Sequence, residues 1–242
     1  MPRRPPKAEL EFLRTYNADQ FPHPSVSVDV ALLTARGDAL EVFLVRRTEH
    51  PFKNDWSLPG GFVQLEESLE DAAARLLEAK TRLRGVFLEQ LYTFGAVGRD
   101  PRTRVISVAY YALVPLEQLS ELTISDTRGL MPVADALQTA LAFDHNAILT
   151  ATLDRLRGRV EYSPIGFELL PAQFTLRELQ TLIETILGRK LNKDAFRRKA
   201  LQSGDLEATG QLETGMGFRP AEYYRHVSFT VAGAKRTSPP RG

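Results

Sequence analysis

The period of the hydrophobic positions changes along this chain, and the changes mark out its elements. From Ser25 to Leu33, Val26, Val28 and Val30 alternate with smaller or polar residues, the two-residue period of a strand. Leu40 to Val45 is a second apolar strand that stops at Arg46-Arg47, and Leu58-Pro59-Gly60-Gly61 carries turn chemistry. Leu69 to Lys80, rich in alanine and leucine, predicts a helix, with Ser68 and Asp71 as its N-terminal capping pair. Phe87 to Phe94 and Arg104 to Val114 predict further strands, the second too long and apolar for an exposed edge. Asp144 is placed to cap a helix running to Arg157, with Ile148, Leu149, Leu153 and Leu156 as its stripe and Gly158 as its end. Strands and helices in this order predict an α/β fold, a mixed sheet flanked by helices.

Beyond Arg159 to Gly166, a short boundary with Pro164 and Gly166, the pattern becomes two short helices and a ribbon. Thr175-Leu176-Arg177-Glu178 is a capping box, and Leu179, Leu182, Ile183, Ile186 and Leu187 line one helix face before Gly188 stops it. Asn192 to Gln202 predicts a second helix that buries Phe196 and Ala200, turns Lys193, Arg197 and Arg198 outward, and closes at Gly204. Leu206 to Thr209, a tip from Gly210 to Gly217 and a return strand around Tyr223 to Val227 complete a hairpin. These are the parts of a winged helix-turn-helix, whose second helix enters the DNA major groove.

Charge bears on that reading. The formal net charge is only +1, yet Arg189, Lys190, Lys193, Arg197, Arg198 and Lys199 stand against the single acid Asp194. On charge alone such a cluster is a solvated face; on the second helix of a winged motif it points to DNA. Lys193, Arg197, Arg198 and Lys199 from the helix and Arg219 from the wing are the candidate contacts, and a protein or RNA partner is the alternative.

In 242 residues with 43% hydrophobic composition, no apolar run approaches the roughly 20 residues of a membrane span. Met1 to Lys7 is basic without the apolar core of a signal peptide, so the expectation is a cytoplasmic protein with no membrane partner. The absence of cysteine excludes disulfides and thiolate chemistry, and His23, His50, His145 and His226 are scattered, so no metal is expected from that side. The expected layout is an N-terminal arm over 1–20, a ligand-binding domain over 21–160, a winged helix over 161–230 and a disordered tail over 231–242.

The segment from Gly61 to Leu83 resembles the Nudix box, G-x5-E-x7-R-E-U-x-E-E-x-G-U with U aliphatic. Gly61, Glu67, Arg75, Leu77 and Leu83 fall on register. The family's last three glutamates share a helix face and jointly hold Mg²⁺; here those positions are Leu76, Ala79 and Lys80, and Arg82 replaces the box glycine. An aliphatic, a methyl and an ammonium supply no oxygen ligand. Glu66, Glu67, Glu70, Asp71 and Glu78 remain, leaving an improvised metal site as the alternative to a solvated helix face.

Other stretches extend the likeness: Trp56-Ser57-Leu58-Pro59-Gly60-Gly61-Phe62, Arg99-Asp100-Pro101-Arg102, Phe174-Thr175-Leu176-Arg177-Glu178-Leu179-Gln180, Phe196-Arg197-Arg198-Lys199 and Gly217-Phe218-Arg219-Pro220-Ala221. Over roughly residues 10 to 228 the chain resembles the Nudix-related transcriptional regulators of NAD metabolism. The resemblance implies a Nudix α/β/α sandwich followed by a winged helix-turn-helix, and a homodimer on operator DNA that represses NAD biosynthesis or salvage genes. It further implies ADP-ribose or a related nucleotide as effector, no required cofactor, and no catalytic residues. Arg99, Arg102 and Arg104 also resemble the loop of ADP-ribose-hydrolysing relatives. Guanidinium groups suit diphosphate oxygens, and Arg46 and Arg47 end a strand near the same expected cleft. Two or three of these five arginines are expected to be ligand contacts and the rest surface ion-pair partners. Phe62 and Glu67 join them as ligand-binding candidates, and Phe52, Trp56, Phe62 and Tyr92 are candidates for stacking on the base. The competing function is an active hydrolase of ADP-ribose or another nucleoside diphosphate sugar, using Glu67, Glu70 and Glu78.

Overall fold

The structure, a computed structural model, describes residues 6–119, 122, 124–214 and 220–227. After helix α1 (Lys7–Thr15), the chain enters β1 (Ser25–Arg36), β2 (Ala39–Arg46), β3 (Trp56–Ser57), β4 (Gly60–Phe62), β5 (Leu88–Phe94), β6 (Val105–Leu113) and β7 (Arg128–Pro132). These strands form one mixed sheet of order β3-β2-β1-β6-β5, with β4 on β1 and β7 on β2. Its centre is the parallel β1–β6 pair, in register from Ser25↔Val105 to Leu33↔Leu113, while β2, β4 and β5 pair antiparallel.

The centre strands are buried on both faces, so the two-residue alternation read in β1 does not separate a buried face from an exposed one. Val28, Val30 and Leu32 pack with Phe43, Val108 and Tyr110 against Ala72, Ala73, Leu76 and Leu77 of helix α2 (Leu69–Thr81). Ala31 and Leu33 face the other way, onto Ile148, Leu149, Leu153 and Leu156 of helix α4 (His145–Arg159), which follows the short helix α3 (Val133–Gln138). A central strand enclosed by helices on both sides reads as a near-continuous apolar run.

Helix ends follow their local chemistry, with two corrections. Ser68 caps α2 by accepting from the Asp71 amide at 3.1 Å, and its own hydroxyl donates to the Asp71 carboxylate at 2.9 Å. Arg82 ends that helix at φ +64°, so the left-handed turn persists where the box glycine is missing. Asp144 stands at the N-cap position of α4 but makes no side-chain cap bond, because its carboxylate is held by Arg99. Gly158 lies inside α4 instead of ending it; the buried stripe of Thr152, Leu153 and Leu156 and the ion pair of Arg159 with Glu89 outweigh the roughly 1 kcal/mol penalty of a helical glycine.

The second unit contains β8 (Phe174–Thr175), α5 (Leu176–Leu187), α6 (Lys193–Gln202), β9 (Leu206–Leu212) and β10 (Glu222–His226), the strands ordered β8-β10-β9. Thr175 and Glu178 make the reciprocal capping box, Gly188 turns the chain at φ +68°, and Asn192 caps α6. Residues 215–219 of the tip, and with them Arg219, lie outside the described residues, as does the tail from 228. The connection is no flexible linker: Ile165, Leu169 and Leu170 are buried, and a single apolar cluster runs from Ile148, Leu149 and Leu156 to Leu179, Leu182 and Ile186. Arg157 Nε donates to the Ile186 carbonyl at 3.1 Å, tying the units across that cluster, and the Thr185 hydroxyl, whose one proton is nearest the Thr181 carbonyl at 2.8 Å, lies 3.1 Å from the Asp38 carbonyl.

Candidate functional site

A cleft of about 240 Å³ opens where β1, β2, β4 and the loop after β5 converge. Its shape depends on two glycines. A Cβ at Gly60 would lie 2.1 Å from Asp29 Oδ1, and one at Gly61 would lie 2.8 Å from Leu76 Cδ2, so the backbone passes close over both side chains.

The floor is a buried polar network. Arg99, with a side chain only 3% exposed, donates through Nε and Nη2 to the two Asp144 carboxylate oxygens at 2.9 and 2.6 Å, and through Nη2 to Asp29 Oδ2 at 3.3 Å. Ser107 Oγ donates to Asp29 at 2.5 Å, and the Leu58 amide donates to His145 Nδ1 at 2.9 Å. Nδ1 therefore accepts, leaving Nε2 to carry the proton, 3.5 Å from Asp29 Oδ1. Burial pushes the Asp29 carboxyl up, but the His145 ring, the Ser107 hydroxyl and the Arg99 guanidinium outweigh it, and the carboxyl lies below its ordinary value.

The mouth is cationic and aromatic. Arg102 donates to both carboxylate oxygens of Asp100, at 3.0 and 2.8 Å, and lies over the rings of Phe62 at 5.4 Å and Phe143 at 6.0 Å. Arg47 sits 4.7 Å from the same Phe143 ring and donates to the Pro51 carbonyl at 2.7 Å, while Arg46 stacks on Trp56 at 4.8 Å. Burial, with the positive charge of Arg102 beside it, holds the Arg47 guanidinium below its usual value. Two guanidiniums, one of them paired with Asp100, flank the half-buried Phe143 ring beside the exposed Phe62, an arrangement suited to an anion that carries a flat base.

The structure thus brings Arg46, Arg47, Phe62, Arg99 and Arg102 to one cleft and leaves Glu67 and Arg104 off its lining. Arg104 donates to the carbonyls of Gly95 and Ala96 at 2.7 and 3.0 Å, stapling the loop between β5 and β6. Glu67 is engaged by Arg75 at 2.5 and 2.8 Å and accepts from the Gln64 amide, so its carboxyl is pulled down to about 2. Of the stacking candidates, Phe62 lines the cleft; Phe52 meets Phe143 edge-on at 4.8 Å, and Trp56 packs partly against the core. Tyr92 lies off the cleft lining. Sequence reasoning missed Asp29, Phe143 and His145, and it read Lys80, which also lines the cleft, only as a lost ligand. Phe143 sits at φ +57°, unusual for a bulky residue, immediately before the Asp144-His145 pair, and nothing in its neighbours marks it in advance.

The residues present do not fit the divalent cation that a Nudix box implies. Leu76 is buried, Ala79 and Lys80 offer no oxygen, Glu70 accepts from Tyr110 at 3.1 Å, and Glu78 is paired with Arg84 at 2.6 Å. Among the described residues no three histidine, aspartate or glutamate side chains gather as a metal would need.

The basic cluster at the α5–α6 turn and on α6 divides. Arg189 pairs with Glu161 at 2.9 Å, Lys190 with Glu184 at 2.9 Å, and Lys199 donates to the Glu161 carbonyl at 3.3 Å. Lys193, Arg197 and Arg198 are exposed, and no carboxylate pairs with them among the described residues.

A Nudix-type sheet with a cationic, aromatic cleft, fused through one core to a winged helix bearing loose cations, defines a two-domain protein of the Nudix–winged-helix class. The comparisons agree. The NUDIX domain model matches residues 23–152 and the NrtR DNA-binding winged helix domain model matches 166–226. The chain is 37% identical over 221 residues, 90% of its length and 88% of the relative's, to the ADPR responsive transcriptional repressor NtrR of Acinetobacter baylyi (strain ATCC 33305 / BD413 / ADP1). It superposes on Shewanella oneidensis NrtR complexed with a 27mer DNA with TM-score 0.77 and 37% identity, covering 84% of this chain and 93% of that one. The NUDIX domain of Shewanella oneidensis NrtR complexed with ADP ribose matches with TM-score 0.55 and 38% identity, over 61% of this chain and 98% of that one. The chain belongs to the NrtR family of Nudix-domain proteins with a C-terminal winged helix.

Proposed function

We propose that this protein is a transcriptional repressor that binds operator DNA through α5, α6 and the β9–β10 hairpin and releases it on binding ADP-ribose or a related nucleotide in the cleft. It acts on genes of NAD biosynthesis or salvage, in the cytoplasm, as a homodimer. It requires no cofactor and hydrolyses nothing: the three box positions carry no oxygen ligand, and Glu67, Glu70 and Glu78 are each engaged elsewhere. The division between its units falls at residues 160 and 161, with 1–20 an arm, 21–160 the ligand-binding unit, 161–230 the winged helix and 231–242 a tail. Supporting the reading are the relative in Acinetobacter baylyi that responds to ADP-ribose and the DNA and ADP-ribose complexes of the Shewanella oneidensis relative.

The observation that carries it is the apolar cluster shared by the ligand-binding sheet and the winged helix. Close-packed interiors respond to a ligand by repacking, so closure of Arg47 and Arg102 on an anion reaches α5 through α4. A ligand shifts an equilibrium only by its differential affinity for the two states, and coupling of about 1 to 3 kcal/mol weakens operator binding roughly 5- to 150-fold. Linkage makes this reciprocal. Titrating ADP-ribose by calorimetry with and without saturating operator should show the same factor in ligand affinity, with NAD, ADP and ribose 5-phosphate as comparators. Equal affinity in both titrations would remove ADP-ribose as effector, and AMP release in Mg²⁺ above a no-protein control would restore the hydrolase reading.

A further inference from the structure

Lys80 occupies one of the three positions at which the Nudix box carries a metal-binding glutamate, and it is the one of the three that lines the cleft. Leu76 has gone into the core beneath Gly61, and the exposed Ala79 contributes only a methyl group. Lys80 lies in the last turn of α2, where the helix dipole favours a cation, and its side chain is exposed with no carboxylate paired to it among the described residues. The neighbouring acids are occupied: Glu78 by Arg84 and Glu67 by Arg75. Across the cleft stand Arg46, Arg47 and Arg102.

We propose that Lys80 is a diphosphate-binding residue: its ammonium supplies, from within the box, the positive charge for which a hydrolase's box recruits a divalent cation, so the cleft takes a nucleoside diphosphate ligand without metal. The substitution then does two things at once. It removes a ligand that hydrolysis would need, and it keeps the charge that binding needs, as a strongly hydrated point charge on a flexible stem that can follow either phosphate. An ammonium cannot deliver an activated water as a metal does, so the bound ligand persists. This inference rests on the cleft being the nucleotide site.

Calorimetry on the full chain with ADP-ribose, in EDTA and in excess Mg²⁺, tests it. Wild type is expected to bind with affinities within about twofold in the two buffers. Lys80→Met should lose about 10-fold in both, Lys80→Arg should stay within about threefold of wild type, and Lys80→Glu in EDTA should lose about 100-fold, since it replaces attraction by repulsion. Adenosine, without phosphate, should bind wild type and Lys80→Met alike. Wild-type binding that needs Mg²⁺, a Lys80→Met affinity equal to wild type, or an equal loss for adenosine would each overturn the assignment. If wild type binds ADP-ribose and Arg102→Ala weakens it while Lys80→Met does not, only this inference fails; absence of ADP-ribose binding in either buffer defeats the nucleotide site as well.

Discussion

The cleft floor and the outward face of α6 both depend on arginine, and they use it in opposite ways. Arg99 is buried to 3% exposure between Asp144 and Asp29, with every side-chain hydrogen bond made to a residue 45 or 70 positions away. Lys193, Arg197 and Arg198 project from a helix with no buried residue and meet no carboxylate among the described residues. A site for one small ligand gains from groups held in place before the ligand arrives, because ordering them afterwards would subtract from affinity. A face that meets phosphates spaced along a duplex gains from long side chains free to adjust, with the affinity coming from counterion release. Charge in the first region therefore supports the fold, and charge in the second is exposed and, on the proposed reading, meets DNA.

The largest expected effect breaks the first side of that comparison. Arg99→Met should destabilise the fold by about 3 to 5 kcal/mol, because it strips the guanidinium from Asp144 and leaves the buried Asp29 with only His145 and Ser107 beside it, and urea unfolding measures it. A loss below about 1 kcal/mol would mean that the floor is not held by that network. Next, the double variant Arg197→Ala/Arg198→Ala should leave stability within about 0.5 kcal/mol of wild type while weakening operator binding by about 1 to 3 kcal/mol per base contact and flattening its salt dependence. Full operator affinity in this variant would remove α6 from the interface. The smallest effect tests a charge that is tied but not buried. Glu67 has a folded pKa of about 2, below its unfolded value, so its pairing with Arg75 stabilises fully above about pH 4.5 and is lost as pH falls toward 2. The thermal midpoints of wild type and Glu67→Gln should differ modestly at pH 6 and converge toward pH 2; a gap that widens on acidification would contradict the pairing.

Much of the fold is written locally. The Thr175–Glu178 box, the Gly188 turn and the Asn192 cap lie within a few residues of the ends they set, and the strands after Ser25 and before Val114 announce themselves by β-branched and aromatic runs. The cleft arginines were legible because Arg46-Arg47 and Arg99 to Arg102 end or connect strands. What escaped is long-range. The bond from the Leu58 amide to His145 spans 87 residues, and Asp144 looks like an ordinary cap until Arg99 arrives from 45 residues away. Gly158 looked like a helix end because its neighbours in space, unlike its neighbours in sequence, were not visible.

The packing of Leu76 sets what it would take to place a carboxylate at that position. Gly61 now passes so close to that leucine that the two residues have become one fitted contact within the apolar layer under α2. A glutamate restored there alone would be a carboxylate among aliphatic groups, costing several kcal/mol with no cation to meet it, and the cation could not stay until residues 79 and 80 had changed too. Building a metal site into this helix is therefore a task for several coordinated substitutions at residues 76, 79 and 80, with room made under Gly61, and not for one.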